Sequence, residues 1–493
     1  MTAPLFTGAS WDFHLIQKIY DACEEIGSDE LGLDCYPNQL EIITAEQMID
    51  VYACSLPVTY QSWSRGKNFA REEFNYRKGN SGLAYECVFN SSPCINYLME
   101  ENSATMQALV IAHAAMGHNS FFKGNYLFRD WTDAAGILDY LCFARDYVAE
   151  CEARHGAAAV ESVLDSCHAL QNFGVDKYRR PGKLSKELEE QRKKEKLANE
   201  KREVNALWDH LIPKVDKPEE DAAKMEPQEN LLYFIEKNAP NLKQWQRELI
   251  RITRKIAQYF YPQRQTQVMN EGWASTCHYY IMTRLMEKGL ITSGSYLEFL
   301  HSHTSVVRQQ PMTRQFNPYW LGFNMFAEIK RICVAPTAED KKYFPDLAGA
   351  DWLKSWHYAM KNFKDESFIS QYLSPAMVRR EKLFMMSDDS DAPDYTISRI
   401  QNERGFEEIR SALSDRYKLS HFFADIQITD VKFSTTRKMY LEHRAYDGIK
   451  LETKTAWETL LHLKNLWGYD IVLESTDTES GLTFGVYDTE RGQ

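Results

Sequence analysis

The chain has 493 residues, 44% of them apolar and 13% aromatic, which is enough for an extensive core and more than one core normally holds, so two folding units are expected. A formal charge of −12 disfavours non-specific attraction to nucleic acid or an anionic bilayer, since both need clustered Lys and Arg. No run of about 18 uninterrupted apolar residues occurs, so membrane insertion is not expected.

Met1 to Tyr20 lacks a basic region followed by an apolar stretch, and the 10 cysteines include no C-x-x-C pair. Both features fit a cytoplasmic protein with reduced, buried thiols. Residues 1–180 read as an N-terminal helical part. Within it, Gly82 to Phe89 (GLAYECVF) has strand character and ends at a turn signal, Asn90 to Pro93. Pro93 to Phe122 then reads as one long helix, with Ile95, Leu98, Met99, Met106, Leu109, Val110 and Ile111 spaced for one face. Further helices are predicted over 134–155 and 159–173.

Residues 181–226 are nearly all charged and of mixed sign, which predicts a solvated helix and linker; a docking arm is the alternative. Residues 227–390 resume the helical pattern as a second part of the same body, broken at Asn317-Pro318 and Ala335-Pro336. After the acidic run that begins at Asp388, residues 395–493 alternate helix and strand signals and predict a small α+β domain. The expected fold class is therefore mainly α, with a zincin-like strand and long helices, plus this C-terminal domain.

Three segments carry metal-type side chains. His113 and His118 stand five apart in HAAMGHNSFFK. An ideal α-helix turns such a pair roughly 140° apart, so convergence requires the helix to end near Gly117 or to carry a π-bulge. VIAHAAMGH looks like the zincin helix H-E-x-x-H with one residue inserted and its glutamate, the general base, missing. The bland alternative is a satisfied core pair. The second segment, MNEGWASTCH, resembles the N-E-G-x-A stretch by which some zinc aminopeptidases supply a carboxylate ligand, here Glu271. On a helix Glu271 and His278 lie about 10.5 Å apart along the axis, so both are not expected on one metal. An ion pair of Glu271 with Arg264 is the structural alternative. The third is His301-Ser-His303, at a helix end, where only His303 is expected to face inward. Asp165 and His168 share a helix face as in di-iron bundles, but no second such set is found. Phosphate-binding P-loops, dinucleotide turns and G-x-S-x-G elbows are missing from the sequence.

Taken together, YPNQLEIITAEQM (36–48), HAAMGHNSFFKGNYLF (113–128), MNEGWA (269–274), HSHTSVV (301–307), NPYWLGF (317–323) and DESFISQYLSP (365–375) resemble the SpoVR family, stage V sporulation protein R-like, over nearly the whole chain. The resemblance implies a link to sporulation, through spore cortex formation, and to stress-type regulation elsewhere. It also implies company with a PrkA-like serine kinase and a protein with a von Willebrand A-type (VWA) domain, and it places His113, His118, Glu271, His278 and His303 within the family's motifs. The expected chemistry is a divalent metal, zinc foremost, held by His113, His118 and Glu271, with His278 or His303 shuttling protons during amide hydrolysis. The alternative is a non-catalytic scaffold or regulator in a complex with that kinase and VWA protein.

Overall fold

The computed structural model describes residues 3–78, 86–177, 227–309, 316–383, 386–387, 396–397 and 403–492. The charged stretch 181–226, the first four residues of GLAYECVF and the acidic run 388–394 lie outside them. The chain divides into two compact units, Met1–Asp165 with Lys255–Phe423, and Ser166–Arg254 with Ala424–Gln493. Both units draw on two separated stretches of chain. The molecule is mainly helical, and its strands make two small sheets and one two-residue pairing.

The first unit has a three-stranded sheet of β1 (Asn38–Ile43), β2 (Glu86–Phe89) and β3 (Cys94–Met99) in the order β1-β3-β2. β1 runs parallel to β3 and β2 antiparallel to it, with Glu86 opposite Leu98. The sequence expectation for Pro93 to Phe122 is corrected here, because Cys94–Met99 is the central strand rather than a first helical turn. A short apolar run satisfies either periodicity, and pairing on both edges favours the strand. The helix begins only at α1 (Ala104–Val110), where Ser103 caps it by accepting from the Met106 N–H.

The core of this unit forms around α2 (Gln267–Glu287), flanked by α3 (Ser293–Val306), α4 (Pro318–Val334) and the segment following α1. Trp273, Phe121, Phe299, Phe326 and Phe368 are fully buried in it. Each such phenylalanine contributes roughly 1.5–3 kcal/mol by leaving water. α2 has no side-chain cap of its own. Instead Asp365, which opens α5 (Asp365–Tyr372), accepts from the Val268 and Met269 N–H groups, both at 2.9 Å. A carboxylate at a helix N-terminus satisfies orphan donors and opposes the positive end of the dipole.

In the second unit, β4 (Asp425–Val431), β5 (Met439–Ala445), β6 (Ile471–Asp477) and β7 (Thr483–Asp488) pair in chain order. The β5–β6 pair is parallel and is linked by α6 (Thr453–Trp467); the other two pairs are antiparallel. Alternate residues Ile426, Ile428, Met439, Leu441, Ile471 and Leu473 are buried on one face, as period-two patterning requires. Trp467 is buried and its Nε1–H donates to the Arg437 carbonyl at 2.8 Å. The expected C-terminal region of mixed strands and helix is found here.

Candidate functional site

Ile111–His118 continues α1 as a π-helix, so its hydrogen bonds step five residues. That step brings residues five apart onto one face. The imidazole rings of His113 and His118 accordingly stand 4.6 Å apart at an interplanar angle of 88°. Gly117 makes the turn packable, since a Cβ there would lie 2.6 Å from the Ala274 Cα on α2. Neighbouring side chains fix the turn from the other side. Asn119 accepts from the Tyr36 N–H at 2.7 Å and donates to Asn38 Oδ1 at 2.8 Å, and Asn38 donates to the Ala115 carbonyl at 3.0 Å. The Trp273 Nε1–H donates to Ser120 Oγ at 2.9 Å.

α2 supplies Glu271. Its Oε2 lies 3.6 Å from His113 Nε2 and 3.5 Å from His118 Nε2. Sequence reasoning missed a second carboxylate, Glu86 at the start of β2, whose Oε1 lies 3.4 Å from His113 Nε2. One ligand atom each from Glu86, His113 and His118 fall within 4.8 Å of one another. Bonds of about 2.0–2.1 Å to a tetrahedral ion separate neighbouring ligand atoms by roughly 3.3–3.4 Å, close to the separations found. Glu86 Oε2 and Glu271 Oε2 are buried atoms with no hydrogen-bond partner among the described residues. Leaving buried carboxylate oxygens unmatched is costly, and a set of them facing two imidazoles could hold a cation.

Each donor is held from behind. The His118 Nδ1–H donates to Asn270 Oδ1 at 2.9 Å, which leaves a lone pair on Nε2. The Tyr319 ring stacks on His113 at 6.3 Å, and its phenol interacts electrostatically with Glu271. Tyr319 was also missed, although it lies in the NPYWLGF motif. There Asn317 accepts from the Tyr319 N–H and Pro318 occupies the first turn, so the motif starts α4 with its tyrosine at the site. His113 Nδ1 meets His278 Nδ1 at 2.8 Å, and His278 Nε2 meets His303 Nδ1 at 2.8 Å.

The structure therefore brings His113, His118 and Glu271 together, and sets His278 and His303 in a row behind His113. His301 is exposed, while His303 is buried. Glu271 meets imidazoles and Tyr319, and Arg264 lies over the Phe423 ring instead. Asp165 is exposed, and no metal-type cluster forms around it and His168 among the described residues.

Burial pushes His113 down, but Glu86 and Glu271 outweigh it and raise it above the ordinary histidine value. Burial lowers His118 to about 4, lowers His303 to about 4 and pushes His278 well down. Burial also raises Glu86 to about 7; its side chain keeps 16% exposure against 7% for His113, so solvent tempers that push. Glu271 is held below its ordinary value, since His118, His113 and Tyr319 outweigh burial. For Tyr319 the charge of Glu271 and then burial raise the phenol, which keeps it a donor.

A pH dependence follows. An unfolded histidine titrates near 6.5, so between there and about 4 the unfolded chain holds more protons at His303 than the folded one. His303 thus gives its full stabilisation above about pH 6.5 and loses it on acidification, at up to about 1.4 kcal/mol per pH unit. The raised Glu86 carboxyl acts with the opposite sign, adding stability as pH falls from about 7. The His303→Gln variant is therefore expected to show a shallower acid loss than its parent, read from urea midpoints at pH 6.5, 5.5 and 4.5. Parallel pH profiles would refute this assignment.

The model "SpoVR like protein" matches residues 10–422, and "SpoVR-like C-terminal domain" matches 424–478, so the chain belongs to the SpoVR family. It is similar to "Uncharacterized protein YcgB" of Escherichia coli (strain K12), with 50% identity over 490 residues, 98% of this chain and 96% of that protein. No solved structure matches. No helix among the described residues is long and apolar enough to cross a membrane, and all 10 cysteines are free.

Proposed function

We propose that the chain is a metal-dependent amide hydrolase whose centre is His113, His118 and Glu271, with Glu86 as general base. The observation that carries this is Glu271 Oε2 standing 3.6 and 3.5 Å from two imidazole Nε2 atoms while lacking any hydrogen-bond partner among the described residues. Two nitrogen donors with a carboxylate oxygen 3.6 and 3.5 Å from them suit zinc. A zinc ion bound there would polarise an amide carbonyl and make water more acidic. The remaining work falls to the chain. Glu86 reaches the same space from β2 and stands in for the glutamate that the histidine helix lacks, accepting the proton as water attacks. Asn270 holds His118 in place, and Tyr319 stacks against His113 beside Glu271. His278 and His303 stand in a row behind His113. The zincin-like arrangement of strand, histidine helix and glutamate helix belongs to the same proposal.

The biological setting follows the family resemblance: a cytoplasmic role in sporulation or stress-type regulation, with a PrkA-like serine kinase and a VWA-domain protein as partners. A cytoplasmic enzyme would act on precursors or proteins rather than on assembled wall.

Elemental analysis of native protein is expected to find about one zinc per chain, lost in His113→Ala and Glu271→Ala. Glu86→Gln should keep the zinc and lower hydrolysis of a panel of peptidyl p-nitroanilides by about 10²–10⁴-fold, the usual worth of a general base. Native chain that carries no metal and takes none up on dialysis against zinc would sink the proposal.

A further inference from the structure

Three imidazoles in line constrain one another. His278 is buried between His113 and His303, with an N···N contact of 2.8 Å on each side. Phe299 and Phe323 pack around the row: the Phe299 ring lies 5.9 Å from His278 and 5.7 Å from His303, and Phe323 lies 4.9 Å from His303. A contact this short between two ring nitrogens needs one N–H and one lone pair; two N–H groups would clash and two lone pairs would leave both unsatisfied. A His278 that accepts at one of these contacts has a lone pair there and a single N–H on its other nitrogen. Whichever nitrogen carries it decides the direction of both contacts at once.

We infer that His278 and His303 are positioning residues that hold His113 in its Nδ1–H tautomer through a hydrogen-bond chain running outward from the centre. This rests on the proposed cation: His113 Nε2 faces Glu86 and Glu271, so an ion there takes the Nε2 lone pair and confines the proton to Nδ1. His113 Nδ1–H then donates to His278 Nδ1. His278 must carry its proton on Nε2, which donates to His303 Nδ1. His303 in turn keeps its proton on Nε2 as the outermost donor. All three rings stay neutral, and no net proton is gained or lost along the row. Asn270 does the same for His118 with one hydrogen bond, so both histidines of the centre present Nε2 with Nδ1 tied back.

The test uses the full chain labelled with ¹⁵N-histidine and loaded with zinc, its metal content measured on the same sample. Two-bond ¹H–¹⁵N correlations, assigned through single His→Gln variants, are expected to show Nδ1–H for His113 and Nε2–H for His278 and His303. Zinc bound stoichiometrically with His278 protonated on Nδ1 overturns the order and leaves the centre standing. No zinc uptake overturns the centre, and the order falls with it. As a second measurement, His278→Leu should weaken zinc binding by about 10–100-fold. His278→Gln should retain most of the affinity, because its amide oxygen accepts from His113 and its amide NH₂ donates to His303. Equal losses in both variants, with unchanged circular dichroism, would refute a positioning role.

Discussion

Gly322→Ala is expected to destabilise the first unit by about 3 kcal/mol or more and to abolish zinc binding. A Cβ at position 322 would lie 2.1 Å from the Val268 carbonyl oxygen and 2.6 Å from the Gly272 Cα. Both are main-chain atoms, so no flexible side-chain end can swing aside. Gly272 has the reciprocal problem, since its Cβ would meet the Gly322 Cα at 2.4 Å. α2 and α4 therefore touch backbone to backbone, which glycine alone permits. Forcing them apart moves Tyr319 on one helix away from Glu271 on the other. The matching control is Gly66→Ala, in the helix Trp63–Arg77, where an added Cβ meets nothing within 4 Å. That variant should be neutral or stabilised by about 0.5–1 kcal/mol through helix propensity. Urea unfolding and zinc titration of the two variants decide the matter; a Gly322→Ala protein with parental midpoint and zinc affinity would remove the close contact as the source of the site's geometry.

Asp365→Ala is the second large effect. The carboxylate accepts from two buried N–H groups at the start of α2, and alanine leaves both without a partner. Unsatisfied buried donors and a lost cap together predict a loss of about 3 kcal/mol; burial raises the Asp365 carboxyl to about 7, so its charge strengthens the cap above that pH. Asp365→Asn keeps an oxygen acceptor but no charge, so its loss should be smaller. Because Glu271 lies in the first turns of the same helix, zinc affinity should fall in the same order as stability. Thermal unfolding of the three proteins reads this directly. Equal midpoints for Asp365→Ala and parent would mean that α2 does not depend on its distant cap.

The parts legible in the sequence were those whose geometry is local. The five-residue spacing of His113 and His118 left two ways for the rings to converge, a helix end near Gly117 or a π-bulge, and the structure has the second. Helix geometry likewise separated Glu271 from His278, and the helix end distinguished His303 from His301. Glu86 was not legible because its partner His113 is 27 positions further on, across a strand and a helix, and a glutamate opening a short strand looks like an edge residue. Tyr319 was hidden among the aromatics of its motif. β3 was misread because its apolar run fits a helix face until two neighbouring strands claim it. The discontinuous make-up of the two units depends on long-range packing that no local pattern encodes.

The widened turn at Ile111–His118 also has an effect downstream. A segment whose hydrogen bonds skip one extra residue advances the phase of everything after it, so Asn119, Ser120 and Phe121 point where an uninterrupted α-helix would have aimed their neighbours. Asn119 and Ser120 are the residues that grip Tyr36 and the Trp273 indole. Removing a single residue between His113 and His118 would therefore do two kinds of damage at once, parting the rings and unhooking these anchors. The length of that backbone segment shapes the cluster as much as the identity of its histidines does.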